Sequence, residues 1–593
     1  MKLLIQPYLM RFCILFNFFY NNQSNTSAIK GEIYLFHKNL WSGNLLKFLF
    51  ALTGIVSGMN LWSQEKLWLV DPLQPVFPDS NTLNLYSNKY QLDFPAGTVA
   101  EVNVLLNLPA RQKFTVAASM NGKILPLECW SLMVDVPVEQ NTGPESRTEA
   151  FSNRINPYVI RRAPFRIYEA IVPLKANIIP SVNSFTNLRL SIPPSLLPDR
   201  GNYKIHITAA GQGWKRTGVF VVKIHPYKLP ALKDGNFFYT NWFSLVQIET
   251  KHQVTRWTQP WYDVMDKYAQ LMAHGRQNCI LIPSELIAME DGRITLNEDK
   301  MIRFIDVFRK YGFKYFESPH IMYRGDDDNW GDPELKVVLT KNRYYTPAGK
   351  KDVDTIISLI KNFTIKYGIA DAWMQHISDE PTGVQAKCYR DIVSQVKNIY
   401  PNIKIMEATN DRDSLVGAID LWCPIIDDFQ KNEAFFRARE AVNEKVLVYT
   451  CLIPGGQWLN RLLDQERLRQ VYFGWGAARY NTFGYLHWGL NQYVADPWQQ
   501  SVVHHPAPGA GANNFLPAGD THCIYPGEDG PLSSTRFEAH RTGVEDYEML
   551  QLLKQKDSPL AQSLLAKVFR TYTDYSTSIK EYRTVRKKLL QAL

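Results

Sequence analysis

At 593 residues the chain is too long for one ordinary core and points to two or three domains. Charged residues make up 21% and aromatics 13%, with 15 Trp, so this is a folded globular chain rich in flat rings that suit sugar faces as well as cores. The formal charge of +9 is spread thinly, and no basic block with interleaved aromatics occurs, which argues against nucleic-acid binding.

Two apolar stretches, residues 8–20 and 45–61, precede residue 65. The second follows Lys38 and has the short apolar body of a secretory signal, with Ser63 placed to precede the cleavage point. Residues 1–63 are therefore read as a leader, and the mature protein is expected to be periplasmic, at the cell surface or secreted, with no stable membrane insertion after signal cleavage. A signal-anchor helix is the alternative, because the run approaches the length that spans a bilayer. Seven cysteines are present, and Cys13 would leave with the leader. The wide spacing of Cys129, Cys279, Cys388, Cys423, Cys451 and Cys523 argues against a structural zinc site or a disulfide framework while permitting one isolated bridge.

Residues 64–230 read as an N-terminal antiparallel β-sandwich. Short period-two runs such as residues 100–106, 114–118, 188–192, 203–208 and 219–224 are divided by Pro, Asn and Gly. After a linker over residues 226–235, apolar strands alternate with longer amphipathic helices, the rhythm of parallel βα units. Eight strands are expected near residues 237–243, 279–283, 316–322, 372–378, 403–407, 418–424, 446–452 and 485–490, the number a closed barrel needs. Residues 231–593 are thus assigned to a (β/α)8 TIM-like barrel with C-terminal helices, and the fold class to α/β. Val353, Ile356, Ile357 and Ile360 mark one helical face, and Tyr389, Ile392, Val393, Val396 and Tyr400 mark the next.

The fourth strand ends in two adjacent carboxylates, Asp379 and Glu380, at the end of a barrel where catalytic residues gather. Other strand ends offer Asn241 and Trp242, His320 and Tyr323, Glu407 and Asn410, Trp422 and Asp427, Tyr449, and His487, Trp488 and Asn491. A polar-aromatic ring of this type matches what a pyranose needs, hydrogen bonds for hydroxyls and platforms for ring faces. Residues 495–534 form a long Gly-, Pro- and His-rich segment, and loops of that length tend to be functional or disordered. Thr535-Arg-Phe-Glu538 then opens a final helix as a capping box. Its dense set Arg536, Glu538, Arg541, Glu545, Asp546 and Glu548 reads mainly as a solvated, salt-bridged face, with an arginine buttressing the barrel floor as the other option. Asp326-Asp-Asp328 lacks EF-hand spacing and reads as a solvated loop. His504 and His505 are adjacent and receive no ligand role.

Three stretches together resemble the family 123 glycoside hydrolases: His376-Ile-Ser-Asp-Glu-Pro381, Gly484-Tyr-Leu-His-Trp-Gly-Leu-Asn491, and the segment from Gly519-Asp520 through Tyr525-Pro-Gly527 to the helix at residues 534–548. The resemblance covers residues 236–555 and implies a retaining exo-β-N-acetylgalactosaminidase working on glycans or glycolipids by substrate assistance, with no cofactor and no metal. On that pattern Glu380 protonates the glycosidic oxygen and later activates water. Asp379 orients the 2-acetamido group, whose carbonyl oxygen is the nucleophile, an exception to the usual two-carboxylate geometry. Trp242, His320, Tyr449, Trp488 and Asn491 are the substrate-binding candidates, with Tyr449 assigned to the acetamido carbonyl and Trp488 to the sugar platform. His522 and Cys523 depart from the small or apolar residues the resemblance leads one to expect there. Two other readings stay open: a retaining glycosidase of different specificity with Glu380 as acid/base and Glu407 as nucleophile, and a non-catalytic carbohydrate-binding surface protein.

Overall fold

The computed structural model describes residues 66–79, 87–181, 183–324, 329–409, 411–505 and 514–593. The expected leader, Cys13, Asn410 and residues 326–328 lie outside the described residues. Gln64–Leu593 forms one compact unit. Among the described residues no helix is long and apolar enough to cross a membrane, and the six cysteines downstream of Cys13 are free thiols.

Two facing sheets form the N-terminal part. One runs Lys66–Val70, Ala100–Asn107, Phe185–Ile192, Trp130–Val138, Phe165–Pro173, antiparallel throughout. The other is built on Lys89–Ala96, Trp214–Lys228, Gly201–Gly211 and Lys113–Met120. Its first pair is parallel and the rest antiparallel. Alternation decides which side chains meet between them: Val102, Val104, Leu188 and Leu190 from one sheet pack on Ile205, Ile207, Phe220 and Val222 from the other.

The barrel strands are Phe238–Asn241, Cys279–Leu281, Tyr315–Glu317, Trp373–Gln375, Lys404–Ala408, Leu421–Cys423, a seventh in two pieces, Lys445–Val446 and Val448–Thr450, and Gly484–His487. All pair in parallel. The seventh strand breaks at Leu447, so its first piece bonds to the sixth strand and its second to the eighth. Since the eighth also pairs with the first, Tyr485 opposite Tyr239, the sheet closes. Phe238, Met374, Met406, Leu421, Leu447 and Leu486 fill its interior. Helices cover the outside, Val353, Ile356, Ile357 and Ile360 of Pro347–Lys366 and Tyr389, Ile392, Val393 and Val396 of Ala386–Ile399 facing the strands.

The helix Thr535–Lys556 overturns one expectation. Arg536, Glu538, Arg541, Glu545, Asp546 and Glu548 are all buried, not solvated. This helix lies between the sandwich and the barrel, and its charges pair there. Arg536 Nε donates to Glu169 Oε1 (2.6 Å) and Arg467 Nη2 to Glu169 Oε2 (3.1 Å). Arg541 bonds Glu538 (2.7 Å), Glu545 (2.6 Å) and Glu101 (3.2 Å), and Asp546 accepts from Trp475, Tyr582 and Arg586. Gly543 is there for contact: a Cβ on it would stand 2.3 Å from the Val471 carbonyl of the neighbouring helix Leu468–Tyr480.

Removing one member of a buried ion group leaves the others uncompensated, at a cost of about 3–5 kcal/mol. Glu169→Ala strands the fully buried Arg467 and Arg536. It is therefore expected to lower the urea-unfolding free energy by about that amount. A change within error of zero contradicts the role given to Glu169 in holding the two arginines.

Candidate active site

Strand pairing explains the shape of the site. Met374 and Gln375 pair with Lys404 and Ile405, and the fourth strand stops there. The next amides on the ladder side bond a side chain instead of a strand: Ile377 N and Ser378 N donate to Glu407 Oε2, at 2.9 and 3.2 Å. Glu407 is the penultimate residue of the fifth strand and is fully buried. Tyr389 OH donates to the same oxygen (3.0 Å), and His376 Nδ1 lies 3.0 Å from Oε1.

From this anchor the chain turns outward through Asp379 and Glu380. Glu380 has φ of +43°, a left-handed conformation that costs a non-glycine residue about 1–3 kcal/mol and persists only where its surroundings enforce it. Here they do. Arg324 Nη1 donates to the carbonyls of Asp379 (2.5 Å) and Glu380 (3.3 Å), its guanidinium lying 3.7 Å over the Trp330 ring. Thr409 Oγ1 donates to the Pro381 carbonyl at 3.1 Å. The turn sends the two carboxylates to different neighbours. Glu380 Oε1 accepts from Tyr449 OH at 2.5 Å, across the mouth on the seventh strand. Asp379 is 54% exposed, with His320 Nε2 3.8 Å from its Oδ1.

Beneath the pair lies a fully buried chain of charge. Trp242 Nε1 donates to Glu317 Oε2 (2.7 Å), His376 Nε2 lies 3.2 Å from that oxygen, and His376 Nδ1 faces Glu407. Burial alone would push His376 down, but hydrogen bonds to two carboxylates outweigh it and raise the imidazole to about 10. Burial likewise opposes charge on Glu407, yet His320 and His376 hold it down at about 2. Two carboxylates and one imidazolium leave a net negative charge under the mouth. His320, His376 and Glu407 also place donor atoms within 4.8 Å of one another, a spacing a cation could share. With both nitrogens turned to carboxylates, protonated His376 has no lone pair to offer and itself supplies the positive charge.

Of the substrate-binding candidates, Tyr449 bonds Glu380 and His320 stands beside Asp379, with Trp242 edge-on to His320. Trp488 is half-buried on the eighth strand's end, its Nε1 donating to Asp520 Oδ1 at 3.2 Å. Burial raises Asp520 to about 7. Asn491 is fully buried, with Oδ1 accepting from Ser244 N (2.7 Å) and Nδ2 donating to Ser244 O (3.2 Å), so it ties the loop after the first strand. Trp422 lies against the outer helices, bonded to Glu444. Sequence reasoning missed Glu317, Arg324 and Asp520 as parts of the site. Glu317 had a signal, a lone acid closing the apolar strand Tyr315–Glu317; Arg324, in a loop, had none.

A parallel barrel with an acid pair at the C-terminal strand ends and aromatic rings nearby is an arrangement that glycoside hydrolases use, although the barrel itself serves many chemistries. The model of the glycoside hydrolase 123 catalytic domain matches residues 242–553, and the chain belongs to that family. Among solved structures it is similar to a family 123 glycoside hydrolase from Clostridium perfringens, described for glycolipid glycan hydrolysis, at 14% identity and a TM-score of 0.66, covering 89% of this chain and 97% of that one. A Parabacteroides merdae β-glucuronidase also matches, with 9% identity, a TM-score of 0.29 and coverage of 75% and 50%. An endo-β-1,4-mannanase from Thermotoga petrophila does so with 10%, 0.35, and coverage of 54% and 78%. No curated protein matched.

Folded His376 holds its proton more tightly than the unfolded side chain, so its stabilisation is complete below about pH 6.5 and is lost as pH rises through about 10. For Glu407 the sign reverses, and stability is lost as pH falls from about 4.5 through about 2. His376→Gln is expected to flatten the fall in urea-unfolding free energy between about pH 7 and 9.5. Parallel declines in parent and variant contradict the assignment.

Proposed function

We propose that this glycoside hydrolase is a retaining exo-β-N-acetylgalactosaminidase that uses the substrate's own 2-acetamido group as nucleophile, on glycans or glycolipids. The observation that carries the reading is the state of the carboxylates. Asp379 and Glu380 face the mouth, whereas Glu317 and Glu407, at the ends of the third and fifth strands, are buried and occupied by hydrogen bonds. An ordinary retaining glycosidase needs a second carboxyl about 5–5.5 Å from the acid and free to attack. Freeing Glu407 would break the bonds that shape the catalytic turn.

In the first step Glu380 gives its proton to the glycosidic oxygen as the bond to the anomeric carbon breaks. The acetamido carbonyl oxygen forms the new bond from the opposite face, and Asp379 accepts a hydrogen bond from the acetamido N–H, balancing the positive charge that develops there. In the second, Glu380 takes a proton from water, the water oxygen attacks the anomeric carbon, and the five-membered ring opens. Two inversions give retention. Tyr449, expected from the sequence at the acetamido carbonyl, instead donates its hydroxyl to Glu380 Oε1 and so orients the acid/base for both steps. Trp488 supplies a flat face for the sugar. The preference for galactosamine rests on the family resemblance. Export follows from the apolar run at residues 45–61.

Chromogenic β-GalNAc and β-GlcNAc substrates, set beside the corresponding 2-hydroxy sugars, test this reading. Acetamido substrates are expected to turn over and 2-hydroxy ones not; equal efficiency on both would exclude substrate assistance. Glu380→Gln is expected to lower kcat by about 10²–10⁴-fold, and by less for a leaving group that needs no proton.

A further inference from the structure

The carboxylate assigned to the substrate's acetamido group is the least fixed part of the site. Among the described residues no donor bonds the Asp379 carboxylate, and its close charged-pair contact is His320 Nε2 at 3.8 Å. That nitrogen is itself buried without a hydrogen-bond partner. It stands between two acids, 3.4 Å from Glu407 Oε1 and 3.8 Å from Asp379 Oδ1, outside bonding geometry to both. The ring, by contrast, is well placed. It meets Trp242 edge-on at 5.8 Å and lies over His376 at 4.7 Å, and both of those neighbours are tied to Glu317.

A buried donor between an acid with four donors and one with none gains more from the second once water leaves. Glu407 already accepts from Ile377, Ser378 and Tyr389 at Oε2 and faces His376 at Oε1, whereas among the described residues no donor bonds the Asp379 carboxylate. Asp379 has lone pairs to spare, and loses water when a sugar fills the mouth. We propose that His320 is a positioning residue for Asp379: with substrate bound, its Nε2–H donates to Asp379 Oδ1 and turns the other carboxylate oxygen toward the acetamido N–H. Trp242 and His376 hold the imidazole by ring contacts, and both are tied to Glu317, so buried groups that touch no sugar fix the ring that fixes Asp379. This rests on the substrate-assisted reading above and gives His320 work other than direct sugar binding.

The test is a double-mutant cycle on an acetamido substrate, using His320→Ala, His320→Gln, Asp379→Asn and the pair His320→Ala/Asp379→Asn, with thermal melting as a check on folding. His320→Ala is expected to lower kcat by about 10²-fold with KM changed by less than about threefold, because a misplaced group costs rate before it costs binding. Glutamine, whose amide nitrogen can reach the same place, is expected to recover most of that loss. In the Asp379→Asn background the alanine change is expected to cost less than about twofold, since contacting residues are not additive. Full additivity, or a rise in KM alone, overturns the proposal while leaving substrate assistance intact. A parent protein that hydrolyses only sugars lacking the acetamido group overturns both.

Discussion

The site depends on one side chain that stands in for a strand. Glu407 accepts the backbone amides of Ile377 and Ser378 where the parallel ladder would otherwise continue. The fourth strand therefore ends three residues earlier than its apolar pattern extends, and the released chain makes the turn that separates Asp379 from Glu380. Two neighbours on a continued strand would point to opposite faces, one into the barrel and one to the helices. In the turn both reach the mouth. Arg324 and Thr409 clamp the same turn from outside through its carbonyls, so the left-handed residue is fixed from both sides. A carboxylate in that position must stay charged, and His376 between Glu407 and Glu317 keeps it so.

The sandwich is tied to the chemistry through a second buried acid. Glu169, on a sandwich strand, holds Arg536, and Arg536 Nη1 donates to the carbonyls of Arg461 and Gly519, at 2.9 and 2.7 Å. Asp520 follows directly and receives the Trp488 indole, while Arg461 reaches Asn241 at the first strand's end. A continuous set of contacts thus runs from the N-terminal sheets to the aromatic wall of the mouth. It explains why the motifs at residues 484–491 and 519–548 belong together although neither contains the acid pair: one carries Trp488 and the other Asp520, which holds its indole.

The barrel was legible in the sequence because its strands are apolar runs at βα spacing, and each expected strand lies where a strand is found. Their ends were less so. Residues 376–378 have the composition of a strand and lose that conformation only to a side chain from the next one. The final helix misled for a different reason. Dense Arg and Glu at helical spacing look the same whether water or a second layer of protein faces them, and only the sandwich packed above decides it. Glu407 was read as a strand-end acid and lies one residue inside the end, but its four donors come from elsewhere in the chain and leave no local pattern. Asn491 likewise reads as a ring residue, while both groups of its amide are bonded to Ser244.

The central claim is that the substrate, not Glu407, supplies the nucleophile while Glu407 stays bound to the turn. Binding of an N-acetylgalactosamine thiazoline, a mimic of the cyclic intermediate, measured by calorimetry and seen in a crystal of the complex, tests it most directly. The account predicts affinity at least about 10²-fold above that of N-acetylgalactosamine, with the ring nitrogen on Asp379 and Glu407 still holding Ile377 and Ser378. Equal affinity for the two ligands, with Glu407 turned toward the anomeric carbon, would contradict it.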